Sequence, residues 1–416
     1  MVRFMKKNEN EYKLIHVKEA DEFIGIKIDG NIIEIYVPEI YRESTNLKQS
    51  RQEILMFLKS ISLTNAKSNA NIKSSDNDLV GEMWPIESYV WIIKDYLENG
   101  YFYNREKKYF NDGKGKIDWK RTLKSSPIYS NGNIIYNKLV TFRVSATNDI
   151  IAQIYKLCLS VSLKRIGWIF NYKFKVDIQQ YISNKEMIYH VKKELDSTFD
   201  DVKRLRFRHM LKILNCIKED NVLSDRSTYG IKNYYYVVEQ MIDKMFMGID
   251  NKRIKSKFNP IGNWQLENGE EKNTRVLRPD TIYEAEDKVY IIDSKMYKYG
   301  YTANINDLPQ TSDILKQIAY GDFIKNKLGY FNVRNVFIIP YDKELDLFKY
   351  NEDFVYIGVA SGKWINPKKI KAHQFIYTFL LDYMHLLMNY NKHDSSNIEK
   401  MCNTVENLLS KQKIIH

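Results

Sequence analysis

One stretch of the chain constrains its fold more than any other, because it combines a strand pattern with charges that a strand core normally excludes. The stretch Arg275–Lys295 reads RVLRPDTIYEAEDKVYIIDSK. Two apolar runs flank its most polar point, Glu286-Asp287, and this pattern predicts a β-hairpin with a two-residue turn there. A turn of that length sets Asp280 directly opposite Asp293 on the neighbouring strand.

Three ionisable groups are therefore expected on one face of this hairpin. Lys295 shares the face of Asp280 and Asp293, because strand side chains repeat with a period of two. Two facing carboxylates repel each other and are costly to leave unpaired in a partly buried site. A divalent cation removes that cost, and Mg²⁺ prefers carboxylate oxygens completed by water and substrate phosphate. Such a site suits phosphodiester hydrolysis, with Lys295 holding or activating the attacking water.

The composition favours a globular protein with a polyanionic partner. The chain has 416 residues, 44% of them hydrophobic, which is enough for two or three domains with real cores. Lys and Arg number 64 against 52 Asp and Glu, so the formal charge is +12 and nucleic acid is a favoured partner. No apolar signal core or spanning segment is readable, so no membrane association is expected. The three scattered cysteines predict neither disulfides nor a structural zinc site, and the cytoplasm is the expected location.

Changes in residue pattern divide the chain into four parts. The segment 64–78 is rich in Ser, Asn and Lys, which predicts a linker or mobile loop. Beyond residue 223 the patterns follow the order helix, strands, helix, strand. The predicted parts are an N-terminal β-hairpin and helix region 1–63, the linker 64–78, a mostly helical accessory αβ region 79–223, and a C-terminal domain 224–416 that closes with a helical region from Lys368 to Lys411.

Local patterns within these parts predict individual elements. Apolar residues alternate on both sides of Asp29-Gly30, which predicts a hairpin in the first part. Pro85 and Gly100 bound a run with helical spacing, which predicts an amphipathic helix. Asn131-Gly132 lies between strand-like runs and predicts a small sheet. The basic cluster 203–209 could grip phosphates, but its acidic neighbours favour a solvated helix face.

The acids and the lysine of the hairpin resemble a known catalytic signature. RPD followed by DSK is similar to the signature of PD-(D/E)xK nucleases, in which two acids bind magnesium and the lysine serves the nucleophilic water. Asp280, Asp293 and Lys295 match those positions. Ser294, between the last two, is counted with the candidate metal ligands. A plain alternative is a turn acid plus a surface ion pair, but the apolar run before Asp293 argues against an exposed strand.

The same resemblance points to two helices beside the hairpin. In such nucleases a helix ahead of the hairpin often adds an acid, and Glu239 in YYYVVEQM is the candidate for this auxiliary metal ligand. A helix after the hairpin often carries Gln and Tyr near the site, and LKQIAYGDF supplies Gln317 and Tyr320, with Lys316 nearby. Gln317, counted among the candidate catalytic residues, is expected to buttress the site. Glu239 and Tyr320 keep the alternatives of a solvated helix residue and a core residue.

Other segments resemble the LlaJI-type restriction endonucleases, nuclease subunits related in role to McrC. From about Trp84 onward these segments are WPIESYVWIIKDYLENGY, GKIDWKRT, FIIPYD and YIGVASGKW. The resemblance implies a mixed αβ fold with a restriction-endonuclease-like core, in which helices flank a mixed sheet. It also implies an endonuclease that cuts double-stranded DNA with Mg²⁺, or with Mn²⁺ as a substitute, in defence against foreign DNA.

The resemblance further implies partners. No G-x-x-x-x-G-K-[ST] sequence is present, so a McrB-like AAA+ GTPase would supply any nucleotide hydrolysis. A homodimer or a multisubunit complex is expected. Two other functions stay open: a repair or recombination nuclease with the same chemistry, and a non-catalytic DNA-binding or scaffold subunit. The N-terminal half could recognise DNA, dock the GTPase or hold two nuclease cores together.

Overall fold

The chain divides into two compact units. In the computed structural model, the described residues are 12–18, 22–63, 79–102, 105–111, 114–124, 127–136, 138–146, 150–172, 176, 182–217, 226–366 and 369–414. Residues 1–81 and 228–416 form one unit, which we call the outer unit, and residues 82–227 form the inserted unit. The predicted linker 64–78 lies outside the described residues.

The outer unit begins with a hairpin, as predicted. Its first elements are β1 (Lys13–Val17), β2 (Ile24–Asp29), β3 (Ile32–Pro38), α1 (Leu47–Ile61) and β4 (Leu79–Gly81). Asp29 pairs with Ile32, so the turn is Gly30-Asn31, one residue beyond the predicted dipeptide. Gly30 has a φ of +60°, which glycine adopts without strain.

The inserted unit combines helices with small sheets, as its sequence patterns predict. Its elements are α2 (Ile86–Asn99), β5 (Arg105–Phe110), β6 (Lys116–Ile117), α3 (Trp119–Thr122), β7 (Ile128–Ser130), β8 (Asn133–Ile135), β9 (Thr141–Ala146), α4 (Ile150–Ile166), α5 (Asn184–Ser197) and α6 (Asp201–Cys216). Helix α2 ends at Gly100, whose φ is +73°, and the Asn131-Gly132 turn joins β7 to β8. The helix and the small sheet predicted here are both confirmed.

The basic cluster 203–209 was predicted to form a solvated helix face, and this prediction is wrong for its central arginine. Arg206 is 7% exposed and donates from Nε and a terminal nitrogen to the two carboxylate oxygens of Asp95, both at 2.7 Å. His209 stacks on Trp91 with ring centroids 4.8 Å apart. Helix α6 is amphipathic, and its buried stripe passes through the cluster, so these two side chains serve packing within the inserted unit.

The outer unit continues with its main αβ layer. The elements are β10 (Arg226–Ile231), α7 (Tyr235–Met245), α8 (Lys252–Lys255), β11 (Asn263–Gln265), β12 (Glu271–Asn273), β13 (Thr281–Ala285), β14 (Lys288–Ser294), α9 (Tyr299–Thr302), α10 (Thr311–Leu328), β15 (Asn332–Tyr341), β16 (Phe354–Ala360), β17 (Ile376–Asp382), α11 (Tyr383–Asn389) and α12 (Ser395–Ile414).

The N-terminal hairpin belongs to the same unit as the C-terminal part, which corrects the separate region 1–63. Strand β10 lies between β2 and β4 in a five-stranded sheet of order β1-β3-β2-β10-β4. The two chain segments approach closely, since a Cβ on Gly25 would lie 2.3 Å from the Tyr229 carbonyl oxygen. Strand pairing across about 200 residues of sequence is a non-local contact, which local patterns do not reveal.

A second five-stranded sheet forms the centre of the outer unit and has the order β13-β14-β15-β17-β16. The three central strands run parallel, and β13 and β16 are antiparallel to their neighbours. Helix α10 packs on this sheet, where Tyr320 and Ile324 join a core cluster with Ile282 and Ile291. The mixed αβ fold predicted from the sequence is confirmed. No helix among the described residues is long and apolar enough to span a bilayer.

Part of the region predicted to close the chain as helices is a strand. All seven residues of β17, Ile376–Asp382, are buried, and the strand lies between β15 and β16. A parallel strand covered on both faces reads as a continuous apolar run, and periodicity alone does not distinguish it from a buried helix. Helices α11 and α12 follow it, so the helical prediction holds only after Asp382.

Candidate active site

The hairpin of β13 and β14 has the predicted register. Thr281 lies opposite Ile292 and Ala285 opposite Lys288, so the turn is Glu286-Asp287. Asp280 comes one residue before β13, and its Oδ2 accepts a hydrogen bond from the Ser294 backbone nitrogen at 3.1 Å. The register thus carries Asp280 to the end of β14, where Asp293 also lies.

The two acids lie in a protected and mutually repulsive environment. Asp293 is 3% exposed at the end of a strand that is buried over its last six residues. Burial raises the pKa of Asp280 well above its usual range, and the charges of Asp293 and Glu239 raise it further. An anion at Asp280 is therefore disfavoured until a cation joins the pair.

Two lysine ammonium groups flank Asp293. The Nζ of Lys295 lies 3.8 Å from Asp293 Oδ2, and the Nζ of Lys316 lies 3.4 Å from Asp293 Oδ1. Burial disfavours the charged form of Lys316, but Asp293, Asp280 and Glu239 together raise its pKa above the ordinary value. Lys295 therefore lies on the face of Asp293, as predicted, and a second cation from α10 joins it.

Asp313 holds Lys295 and was not identified from the sequence. Its Oδ1 accepts from Lys295 Nζ at 3.1 Å, and its Oδ2 accepts from the Gln310 backbone nitrogen at 3.2 Å. The carboxylate thus caps the first turn of α10 and fixes the ammonium group at the same time. An acid in the first turn of a helix ordinarily predicts only a cap, so its second contact gave no sequence signal.

The other predicted acid, Glu239, lies on α7 and is half-buried. Its charge acts on both Asp280 and Lys316, so the fold brings this helix to the hairpin end. Lys255 adds a contact that the sequence did not indicate, because its Nζ donates to the Asp280 carbonyl oxygen at 2.6 Å and to Asp243 Oδ1 at 2.9 Å. Lys255 therefore holds Asp280 at its backbone carbonyl, and the Ser294 nitrogen holds it at its carboxylate.

Gln317 and Ser294 lie in the interior beside the acids. The Nε2 of Gln317 donates to the Ile291 carbonyl oxygen at 2.8 Å, which fixes β14 two residues before Asp293. The Gln317 Oε1 and Ser294 Oγ are buried and have no hydrogen-bond partner among the described residues. Tyr320 is buried in the core, and burial raises its pKa, with a further contribution from Asp280. The roles assigned to these residues stay predictions.

The donor set fits a hard cation with few protein ligands. Within the part of the chain that the structure describes, no three His, Cys, Asp or Glu side chains are grouped at metal-binding spacing. The hairpin register brings Asp280 and Asp293 to one strand end, and the predicted auxiliary ligand Glu239 is not grouped with them at metal-binding spacing. A site with two carboxylates, completed by water and phosphate, matches the coordination that Mg²⁺ prefers.

Comparisons with known proteins find a curated relative and several solved structures. The component YdjA of the type II restriction enzyme BsuMI, from Bacillus subtilis (strain 168), is 26% identical over 289 residues, 63% of this chain and 60% of the relative. The chain thus spans about three-fifths of that relative's length.

Two of these solved structures come from Thermococcus gammatolerans. The first is a chain of a half-complex from the tetradecameric assembly of McrB AAA+ hexamers with bound McrC, at 11% identity and a TM-score of 0.41, covering 93% of this chain and 82% of that one. The second, from the McrBC complex, has 9% identity and a TM-score of 0.21 and covers 53% of this chain and 64% of that one.

The family comparison extends the resemblance seen in the sequence. The family model described as LlaJI restriction endonuclease matches residues 23–366. The match begins in the N-terminal hairpin. The segments whose sequence resembles this family begin later, at about Trp84. The match includes the candidate acids, both candidate lysines and the whole inserted unit. Because it covers most of the chain, we conclude that the protein belongs to the LlaJI restriction endonuclease family.

Proposed function

We propose that the protein hydrolyses phosphodiester bonds of double-stranded DNA with Mg²⁺, as the nuclease subunit of a restriction system. The observation that carries this proposal is the hairpin register, which brings Asp280 and Asp293 together beside the Lys295 ammonium group. Membership of the LlaJI restriction endonuclease family supports the same reaction. The expected products carry 5′-phosphate and 3′-hydroxyl ends.

Two features of the site favour a divalent cation, with Mn²⁺ as a substitute for Mg²⁺. Asp280 has a raised pKa because of burial and the neighbouring acids, and a bound cation would relieve that repulsion. The second feature is the set of hard oxygen donors, with which Ser294 is counted because it follows Asp293 directly and its buried Oγ has no hydrogen-bond partner among the described residues. When bound, the cation polarises a phosphoryl oxygen and lowers the pKa of water. Asp280 and Asp293 would hold it, with Glu239 as an auxiliary acid.

The protein's own residues supply the positioning. Asp313 holds the Lys295 ammonium group 3.8 Å from Asp293, where it can orient the attacking water. That water adds to phosphorus as the bond to the 3′-oxygen breaks, and the leaving oxygen takes up a proton. Lys316 adds positive charge beside Asp293, which favours the anionic phosphate. Gln317 fixes the strand that carries Asp293.

The partner and assembly belong to the same proposal. The curated relative is named as a component of a restriction enzyme, which supports a multisubunit complex. A homodimer and a cytoplasmic location are part of the proposal without support from that name. The sequence lacks a G-x-x-x-x-G-K-[ST] phosphate-binding motif, so a McrB-like AAA+ GTPase would act as a separate subunit.

Plasmid cleavage with and without Mg²⁺, and with and without the protein encoded beside this one, tests the proposal. Wild type is compared with Asp293→Ala and Lys295→Ala. Asp287→Ala is the matched control, because this acid lies at the exposed turn of the same hairpin. We expect metal-dependent cleavage by wild type and the control and none by the two site variants, with folding and DNA binding retained. Undiminished cleavage by both site variants would contradict the proposal.

A further inference from the structure

The inserted unit contains a small segment with much of the chain's excess positive charge. Residues 105–146, which we call the basic module, contain ten Lys and Arg but three Asp and Glu. This net charge of +7 compares with +12 for the whole chain. The module comprises a three-stranded sheet of order β5-β9-β6, the short helix α3 and the β7–β8 ribbon. Charge at this density favours a polyanionic partner.

The β7–β8 ribbon exposes apolar side chains on both of its faces. Tyr129 pairs with Ile134 on one face, and Ile128 pairs with Ile135 on the other. Tyr129 is 76% exposed, and the other three are between 48% and 59% exposed. A two-stranded ribbon with no core of its own is marginal in water, so this pattern favours a partner that encloses the ribbon.

Exposed apolar and basic residues also lie side by side at α3. Trp119 and Leu123 are one helical turn apart and are 57% and 58% exposed. Lys120 and Lys124, with the same spacing, are exposed beside them. Interleaved cationic and aromatic side chains are typical of surfaces that contact phosphates and bases together.

From these observations we infer that the basic module is a DNA-binding surface, in which the β7–β8 ribbon enters the major groove and the lysines around α3 contact phosphates. The inference rests on the proposed function for its choice of duplex DNA among polyanions. The major groove admits a two-stranded ribbon, and apolar side chains there contact thymine methyl groups. Lysine contacts to the flanking phosphates supply affinity without sequence preference.

Charge complementarity favours DNA over a protein partner at this surface. The ribbon segment 127–136 contains no acidic residue, and Lys124 and Lys138 flank it. Helix α5 of the same unit offers a contrast, since it exposes Tyr189 but has three basic and three acidic residues. Protein–protein interfaces are poor in excess charge at their centres, as α5 is and as the basic module is not.

Binding of a labelled duplex in metal-free buffer tests the inference separately from cleavage. The full-length Asp293→Ala protein is the background, so a failure of the proposed hydrolysis does not affect the result. The test variants are the triple Lys116→Glu/Lys120→Glu/Lys124→Glu and the single Tyr129→Ala. The matched control is Lys192→Glu/Lys193→Glu on α5, whose two lysines are exposed on the neutral helix.

We expect the triple variant to weaken binding at least about 100-fold and to make the negative slope of log affinity against log salt shallower by about 3. Tyr129→Ala is expected to weaken binding about tenfold at unchanged slope. The control keeps both values near those of the background protein, and far-ultraviolet circular dichroism checks that each variant folds.

Unchanged affinity and slope in the triple variant would overturn the inference. The same holds if the triple variant keeps DNA binding but loses association with the protein encoded beside this one, because the module would then be a protein-docking surface. If the wild-type protein binds DNA but never cleaves it, the proposed function fails while the inference about the module stands.

Discussion

The two units depart from ordinary packing in opposite ways, because one buries charged groups and the other exposes apolar groups. In the outer unit, Asp280 and Asp293 place like charges together in a protected site, which folding disfavours. In the inserted unit, the β7–β8 ribbon leaves Tyr129 and its neighbours exposed, which also has no benefit for folding. We propose a partner for each departure: a divalent cation for the two acids, and duplex DNA for the ribbon together with the lysines around it. Residues that disfavour folding of the isolated chain therefore indicate both candidate sites.

The largest effect is expected when one of the two acids of the outer unit is neutralised. Asp280→Asn removes one anion from the pair, and we expect plasmid cleavage to fall at least about 10³-fold. The same change is expected to stabilise the metal-free protein by about 1 kcal/mol at neutral pH, since it removes a repulsive charge. A thermal melt without metal, beside a cleavage assay, checks both effects.

The pH dependence of that stabilisation follows from the raised pKa of Asp280. A group whose pKa is higher in the folded state contributes stability below its unfolded pKa and loses it as pH rises through the folded pKa. The gain from Asp280→Asn should therefore be present at neutral pH and vanish near pH 4, which is about the pKa of an unfolded aspartate. A variant less stable than wild type at neutral pH would contradict the repulsion between the acids.

The second prediction concerns a buried charge that is already paired. In the inserted unit, Arg206 neutralises Asp95, and Tyr155 donates a third hydrogen bond to the same carboxylate at 3.0 Å. Arg206→Leu leaves Asp95 buried without its cation, and we expect a loss of about 3–5 kcal/mol of unfolding free energy. Hydrogen exchange of the intact protein should show faster exchange in α2 and α6 and unchanged exchange in β14. The double variant Asp95→Asn/Arg206→Leu should recover part of the loss, and no recovery would contradict this explanation.

The third prediction concerns the position of Lys295. Asp313→Asn keeps a side chain that can cap α10 but removes the charge that holds the ammonium group. We expect kcat for cleavage to fall about tenfold at little changed KM, because the water is positioned less well. The control is Asp307→Asn. Asp307 precedes α10 in the chain, and its carboxylate accepts a hydrogen bond from Thr302. An unchanged kcat would leave Asp313 with only a capping role.

The smallest expected effect concerns a buried histidine of the outer unit. Burial lowers the pKa of His373, although Asp322 partly opposes this through a 2.7 Å contact, and Lys325 and Lys371 act with burial. A depressed histidine pKa means that stability is complete above about pH 6.5 and declines as pH falls, because the unfolded chain takes up the proton first. His373→Gln should flatten the decline between neutral pH and pH 5 in urea unfolding. An equally steep decline in the variant would assign it to other groups.

The sequence predicted the hairpin register because the turn and the alternation are local. The same reasoning found the helix between Pro85 and Gly100, where the breaking residues lie next to the element they bound. It misread β17, since an apolar run buried on both faces has the same composition as a core helix. It also missed the joining of the first 63 residues to the C-terminal part, which depends on the pairing of β2 with β10.

In the candidate site, too, the local features were predictable from the sequence and the non-local ones were not. Asp280, Asp293 and Lys295 lie on one hairpin, so their grouping follows from strand geometry. Asp313, Lys316 and Lys255 approach the end of the hairpin from helices α10 and α8, and only tertiary packing decides which helix faces do so. A lysine on an amphipathic helix is usually solvated, so Lys255 does not differ in sequence from the other lysines of this chain, and Lys316 was placed near the site only by the resemblance.

Titration of the intact, metal-free protein with Mn²⁺, followed by electron paramagnetic resonance and calorimetry, tests the central claim most directly. Wild type and the exposed-turn control Asp287→Ala should bind a Mn²⁺ ion that Mg²⁺ displaces. The double variant Asp280→Asn/Asp293→Asn should lose that ion while keeping its fold. Equal Mn²⁺ stoichiometry and affinity in the double variant would contradict the claim that these two carboxylates share a cation.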